Sequence, residues 1–144
     1  MSPLGNVVID TSTLVGAVLR PASTPRQALM KAVSKHGLCV SQSTLQELQV
    51  VLNRRKFDRY APLQTRMDFL ALVTQWARLC EVDATSTQTA KGVCRDPKDD
   101  KFLALALACQ ATIIVSSDDD LLSLSSWRNI NIVTSADFLL IEKR

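Results

Sequence analysis

The chain has 144 residues, of which 17 are basic and 14 acidic, so its formal net charge is only +3. A chain of this length buries roughly 68 to 70% of the surface that it exposes when unfolded, and we predict a single domain over residues 1–144. The sequence has no signal-peptide pattern and no apolar run of about 18 residues, so we expect a cytoplasmic protein with no membrane partner.

In chain order, the apolar pattern alternates between short runs and longer segments with helical spacing. It predicts a strand at Val7–Asp10, a helix at Thr24–Lys35, a strand at Gly37–Val40, helices at Ser41–Asn53 and Pro62–Trp76, a strand at Ala77–Val82, a helix at Asp99–Gln110, strands at Thr112–Ser116 and Ile130–Val133, and a helix at Ser135–Ile141. Thr24, which precedes a proline, is the predicted N-cap of the first helix. Strands that alternate with helices of this length predict an α/β fold with a mostly parallel sheet covered on both faces.

The cysteines and the histidine give little sign of a site. Cys39, Cys80, Cys94 and Cys109 form no C-x-x-C pair, and three of them lie in apolar stretches. This distribution favours buried free thiols in a reducing compartment over a metal or redox site. His36 lies in the segment SKHGL, where we predict a solvent-exposed loop residue and not a ligand.

Acidic residues are found where the carboxyl ends of the predicted strands lie. Asp10 ends the first strand, and Asp118 begins a run of three aspartates just after the strand Thr112–Ser116. Asp99 lies in the first turn of the helix that leads into that strand. Because ligands of open α/β sheets bind beyond the carboxyl ends of the strands, we predict a site built from these acids.

Each acid also has an ordinary interpretation. Asp96 before Pro97 is a typical N-cap, since aspartate accepts hydrogen bonds from free backbone N–H groups and proline is tolerated in the first helical turn. Asp10 either caps the following segment or binds a metal or phosphate. Glu47, between Leu45 and Leu48, is either a solvated glutamate or a member of the site.

If these acids lie close together, the repulsion between their carboxylates indicates a bound metal ion. Two carboxylates about 4 Å apart repel by roughly 4 kcal/mol at an effective dielectric near 20, so four together must take up protons or hold a cation. Oxygen ligands without cysteine or histidine favour Mg²⁺ or Mn²⁺. Such an ion activates a water for attack on a phosphate ester.

Four segments together carry a family resemblance. They are VVIDTSTLVGAVL, STLQELQVVLNRRKF, RDPKDDKFLALALACQATIIVSSDDDLLSL and INIVTSADFL. In this order the chain resembles PIN-domain proteins, and more narrowly the toxin components of bacterial toxin–antitoxin pairs. The resemblance implies a three-layer α/β/α domain with a central mostly parallel sheet and a metal-dependent ribonuclease site.

The resemblance also assigns residues by position. The family's four acids fall on Asp10, Glu47, Asp99 and Asp118, and Asp99 is preferred to Asp100 because of its distance from the segment ALA. Auxiliary positions fall on Asp96, Asp120 and Ser116, and Ser12 stands where many relatives have asparagine. The resemblance further implies a protein antitoxin as partner and a homodimer or higher homo-oligomer.

The basic segment NRRKFDR is the local candidate for contact with RNA phosphates, through Arg54, Arg55 and Lys56. A solvated helix end is the competing interpretation, because cations are favoured near helix C-termini. Aromatic residues are too few to predict a base-stacking platform.

Other classes of α/β protein fit less well. Ser12 departs from the second aspartate of haloacid-dehalogenase phosphatases, the segment IVSSDDD lacks the lysine of receiver domains, and no G-x-G-x-x-G indicates a dinucleotide site. We therefore predict a Mg²⁺- or Mn²⁺-dependent endoribonuclease, acting by metal-activated water, that serves as a toxin. The alternative is a catalytically weak PIN-like module that binds RNA or protein.

Overall fold

The computed structural model describes residues 4–141. Within this range the strands are β1 (Asn6–Ile9), β2 (Gly37–Val40), β3 (Arg78–Leu79), β4 (Ala111–Val115), β5 (Ser126–Trp127) and β6 (Ile130–Val133). The α-helices of the same range are α1 (Thr11–Leu19), α2 (Thr24–Lys35), α3 (Gln42–Leu52), α4 (Leu63–Trp76), α5 (Ala84–Ala90), α6 (Asp100–Ala108), α7 (Asp119–Leu122) and α8 (Ser135–Leu140). Across residues 4–141, every helix is too short or too polar to cross a lipid bilayer.

The strands form one six-stranded sheet in the order β3-β2-β1-β4-β6-β5. All neighbouring pairs are parallel except β5 with β6, which are antiparallel. From β1 the chain first builds the sheet outward through β2 and β3, and it later returns to the other side of β1 with β4. The strand order therefore reverses between β1 and β4, and in open α/β sheets this is where ligands bind.

Helices cover both faces of the sheet, which gives the predicted three-layer α/β/α fold. Alternate residues of β1 point to opposite faces, as the pleat requires. Val7 and Ile9 pack in a core with α1, α2, α3, α4 and α8. Val8 packs in a second core with α5, α6 and α7. Each layer is held by burial of apolar side chains, which is the main favourable term in folding.

Some elements differ from the sequence prediction. The strand predicted at Ala77–Val82 is reduced to Arg78–Leu79, two exposed residues at the edge of the sheet. The helices α1, α5 and α7 were not predicted. The sequence of α1 is apolar enough to read as a continuation of β1, and α5 is rich in threonine and serine, which are weak helix formers.

Capping groups fix where several helices begin. The N-cap of α2 is Ser23, whose hydroxyl accepts from the backbone N–H of Arg26, so the prediction of Thr24 as the N-cap was wrong by one residue. Asp96 accepts from the N–H of Lys98 and begins the short 3-10 turn Pro97–Asp99. The predicted capping role of Asp96 is therefore confirmed.

His36 is buried, which corrects the prediction of an exposed loop residue. His36 is the single residue between α2 and β2. The His36 ring lies in the core, and its centroid is 5.2 Å from that of the Phe138 ring. Burial lowers the pKa of His36 below its ordinary 6.5, and the nearby charge of Lys31 lowers it further.

All four cysteines are free thiols, as predicted. Cys39 and Cys94 are buried, whereas Cys80 and Cys109 are only partly so. The prediction of burial therefore holds fully for two of the four side chains.

Candidate active site

Asp10 lies directly after β1, at the point where the strand order reverses. Its side chain is 2% exposed, and one carboxylate oxygen accepts from the backbone N–H of Thr13 at 2.9 Å, which caps α1. Burial raises the pKa of Asp10 above its ordinary 3.8, and hydrogen bonds from Ser116 and Thr13 act in the opposite direction. Asp10 thus performs the capping role and is also a buried carboxylate at the expected position for a ligand.

Ser116 connects the two strands that flank the switch point. Its buried hydroxyl donates to the second carboxylate oxygen of Asp10 at 2.5 Å. The same hydroxyl accepts from the backbone N–H of Asp118 at 2.9 Å. Ser116 therefore fixes the distance between the segments that carry Asp10 and Asp118.

A second group of acids lies at the start of α6. Carboxylate oxygens of Asp96, Asp99 and Asp120 lie within 4.8 Å of one another. Asp99 is buried and the other two are partly exposed. The guanidinium of Arg95 lies 3.6 Å from the carboxylate of Asp120 and partly offsets the negative charge.

The pKa of Asp99 is raised because the side chain is buried and other acids lie close to it. Burial, followed by the charges of Asp118 and Asp96, raises it from an ordinary 3.8 to about 7. The charge of Asp10 acts in the same direction. Asp99 therefore lies within the electrostatic reach of both groups of acids and connects them into one carboxylate pocket, made of Asp10, Asp96, Asp99, Asp118 and Asp120.

The neighbouring aspartates have other surroundings. Asp100 accepts from the backbone N–H groups of Gly92 and Cys94, at 2.8 and 3.0 Å, and holds the loop before α6. Asp119 is exposed. This arrangement supports the choice of Asp99 over Asp100 as the acid of the site.

Glu47 is placed near the pocket by α3, but it has its own partners. Its carboxylate accepts from the hydroxyl of Thr11, the residue after Asp10, and forms an ion pair with Lys101. Glu47 is therefore not a freely solvated side chain. Thr11 and Lys101 were not predicted at the site, because neither lies at a motif position that indicates contact with α3.

Ser12 lies at the rim of the pocket. Its hydroxyl is 2.8 Å from that of Ser117 and donates to Asp10 at 3.3 Å. A hydroxyl here can thus contact the carboxylate pocket.

The basic segment lies at the far end of α3. Arg54, Arg55 and Lys56 are all exposed, and they follow the end of α3 at Leu52, which lies five residues or about 8 Å of helix beyond Glu47. Arg66, which is fully buried, donates to the carbonyl oxygens of Leu52, Arg54 and Ala61 and pairs with Asp58. This residue anchors the basic segment but carries no sequence signal, since arginine is rarely buried.

A groove of about 1300 Å³ runs beside the carboxylate pocket. Its walls include the start of α3, the segment after β3, α5 and the start of α6. Lys91 and Lys101 both line it, and Lys101 also pairs with Glu47. Arg95, which lies 3.6 Å from Asp120, is a cation at the carboxylate pocket itself, and Lys91 and Lys101 line the groove next to it.

The donor set of the pocket suits a hard divalent cation. It offers several carboxylates and hydroxyls from separate segments; among the described residues the grouped ligand atoms are all carboxylate oxygens, and the thiol of Cys94 lies 4.0 Å from Asp99. Oxygen donors of this kind favour Mg²⁺ or Mn²⁺ over zinc. A proton on Asp99 and a bound cation are alternative ways to relieve the same repulsion, so the raised pKa of Asp99 fits this assignment.

Fold and site together define an α/β/α protein with a carboxylate-lined pocket at the switch point of its sheet. A family model described as the PIN domain matches residues 6–120, and the chain belongs to the PIN domain family. An uncharacterized protein of Methanocaldococcus jannaschii is 30% identical over 119 residues, which cover 82% of this chain and 74% of that protein.

Solved structures show the same fold. VapBC2 from Rickettsia felis, bound to a DNA fragment from their promoter, matches with a TM-score of 0.64 and 15% identity, over 88% of this chain and 96% of that one. VapC20 from Mycobacterium tuberculosis, a sarcin-ricin loop cleaving toxin, matches with a TM-score of 0.56 and 13% identity, over 87% of this chain and 98% of that one. At these identities the likeness concerns the fold alone.

Proposed function

We propose that the protein is a Mg²⁺- or Mn²⁺-dependent endoribonuclease that acts as the toxin of a toxin–antitoxin pair. The observation that carries this proposal is the grouping of Asp96, Asp99 and Asp120 within 4.8 Å, in the electrostatic reach of Asp10 and Asp118, in a PIN domain. Acids brought together from distant segments without an offsetting cation cost free energy, which a bound divalent ion removes.

Asp10, Asp99 and Asp118 are the proposed ligands, with Asp96 and Asp120 as auxiliary acids. A divalent ion held by them supplies an activated water and neutralises charge on the leaving oxygen of a phosphodiester. Ser116 holds Asp10 and the backbone of Asp118 in position. Glu47 serves as a further ligand or orients water.

The groove beside the carboxylate pocket is the proposed path of an RNA strand. Lys91 lines it and provides a cation for a phosphate, whereas Lys101 is paired with Glu47, and the acids Glu81, Asp83 and Asp100 also line the groove. Phosphate contacts of this kind fix the position of a nucleic acid without reading its sequence. Arg54, Arg55 and Lys56, at the far end of α3, are proposed to contact a more distant part of the RNA.

A protein antitoxin is the proposed partner. Support comes from the fold that the chain shares with VapC toxins of VapBC toxin–antitoxin systems. Leu72 and Trp76 are exposed one turn apart on α4, and exposed apolar side chains that lie together are typical of protein interfaces. We also propose that the protein forms a homodimer or higher homo-oligomer.

Cleavage of labelled RNA by the purified chain tests the enzymatic proposal. We expect cleavage with Mn²⁺, its loss with a chelator, and at least a hundredfold lower rate in the double variant Asp10→Asn, Asp99→Asn. Asp119→Asn is a matched control, because it removes an exposed carboxylate of the same aspartate run and should cleave at the wild-type rate. Equal cleavage by the wild type and the double variant would show that the activity comes from elsewhere.

A further inference from the structure

Three cysteines from distant parts of the chain meet at a second place in the fold. Their sulfur atoms, of Cys39, Cys80 and Cys109, lie within 4.8 Å of one another. They are 41 and 29 positions apart in sequence, so no short sequence motif predicts the cluster. Cys109 is the C-cap of α6 and Asp99 its N-cap, and the nine helical residues between them separate the two by roughly 15 Å. The thiol cluster is thus separate from the carboxylate pocket.

The sheet register explains the meeting of the first two thiols. Cys39 of β2 is the register partner of Arg78 in β3, so the two side chains point to the same face. Cys80, two residues after Arg78, points to that face too. Cys109 reaches the same face because α6 packs there. Cys39 lies within β2, and Cys80 and Cys109 directly follow the ends of β3 and α6, so all three thiols are placed by elements of the fold.

The surroundings favour a thiolate at Cys39, whereas burial and the neighbouring Cys39 raise the pKa of Cys80 and of Cys109. The guanidinium of Arg78 lies 4.0 Å from the sulfur of Cys39 and also donates to the side-chain oxygen of Asn6 at 2.5 Å. The side-chain amide of Asn6 in turn donates to the backbone carbonyl of Cys109 at 2.7 Å. A cation beside a thiol stabilises its thiolate form, which is the form that binds metals.

We propose that Cys39, Cys80 and Cys109 form a binding site for Zn²⁺, with three thiolate ligands and a fourth position open to solvent. Sulfur atoms around a tetrahedral zinc ion, at Zn–S distances of about 2.3 Å, lie about 3.8 Å apart, so contraction by about 1 Å suffices. Three thiolates around Zn²⁺ carry a net charge of −1, which the Arg78 guanidinium offsets. Cys80 lines the groove of about 1300 Å³, which gives an ion a path to the site.

Titration of the reduced, metal-free full chain with Co²⁺ under anaerobic conditions tests this site. Co²⁺ replaces Zn²⁺ in tetrahedral sites, and thiolate ligands give it a charge-transfer absorption that carboxylate ligands do not. We expect this absorption to saturate at one Co²⁺ per chain and to disappear when one equivalent of Zn²⁺ is added. The readout is independent of nuclease activity and of any ion in the carboxylate pocket.

Single variants distinguish the cluster from the other thiol. Cys80→Ser and Cys109→Ser should weaken Co²⁺ binding at least tenfold, and both side chains are partly exposed, so the substitutions leave the core in place. Cys94→Ser, which changes a cysteine outside the cluster, should retain the absorption. Absence of the charge-transfer band in the wild type, or unchanged binding in both cluster variants, would overturn the proposal.

Discussion

At the scale of single residues, Asp99 is the side chain on which the site depends most. It is buried, and its pKa of about 7 arises from burial together with the charges of Asp118 and Asp96. The folded protein therefore holds a proton that the unfolded chain, with an ordinary pKa of 3.8, has already released. This proton stabilises the fold fully below about pH 4, and the stabilisation is lost as the pH rises through about 7.

Asparagine at this position imitates the protonated acid. In the presence of a chelator at pH 8, we expect Asp99→Asn to raise the free energy of unfolding by about 1 to 2 kcal/mol, because it removes one of several repelling charges in a partly solvated pocket. Urea unfolding of the wild type and the variant measures this difference. Mn²⁺ should reverse the order, since it binds the folded wild type more tightly.

Asp119→Asn provides the control for that comparison, since Asp119 is exposed and lies outside the carboxylate pocket. Its free energy of unfolding should stay within about 0.5 kcal/mol of the wild type. If Asp99→Asn has a lower free energy of unfolding than the wild type in the presence of a chelator at pH 8, the charged form of Asp99 does not destabilise the folded protein.

At the scale of elements, Arg66 of α4 holds the segment after α3. Its guanidinium donates to the carbonyl oxygens of Leu52, Arg54 and Ala61. We expect Arg66→Leu to lower the free energy of unfolding by about 3 kcal/mol, because buried acceptors lose their donors. Urea unfolding of Arg55→Leu, which removes an exposed arginine of the anchored segment, is the comparison and should show little change. A loss below about 1 kcal/mol for Arg66→Leu would mean that the anchor is not needed.

Helices and strands were predicted well where the sequence pattern that indicates them is local. The bounds of β2 and β6 agree with the sequence prediction, because each follows a clear break in the helical or turn pattern. Asp10 and Asp118 were placed correctly at strand ends for the same reason. The edge strand β3 was predicted too long, since its length depends on how far β2 extends beside it and not on its own residues.

Contacts between helices and strands could not be predicted from the sequence. The ion pair of Glu47 with Lys101 depends on how α3 packs near α6, and the cluster of Cys39, Cys80 and Cys109 depends on sheet register. His36 was predicted exposed because it lies in the loop between a predicted helix and a predicted strand, whereas its burial follows from the position of α8. Contacts of this kind depend on the tertiary packing of the elements and not on local sequence.

At the scale of the whole molecule, the topology of the sheet creates the site. Asp10 and Ser116 are 106 residues apart in sequence and share a hydrogen bond because β1 and β4 are neighbours at the switch point. The start of α6 brings Asp99 to the same end of the sheet. The fold thus concentrates negative charge at one place, and a divalent cation is the species that this charge is suited to hold.

A crystal of the chain soaked in Mn²⁺, and measured at the manganese absorption edge, tests this central claim most directly. We expect an anomalous peak within the carboxylate pocket, at ligand distance from Asp10, Asp99 or Asp118. A crystal with no peak in the pocket, or with manganese only at other carboxylates, would contradict the account.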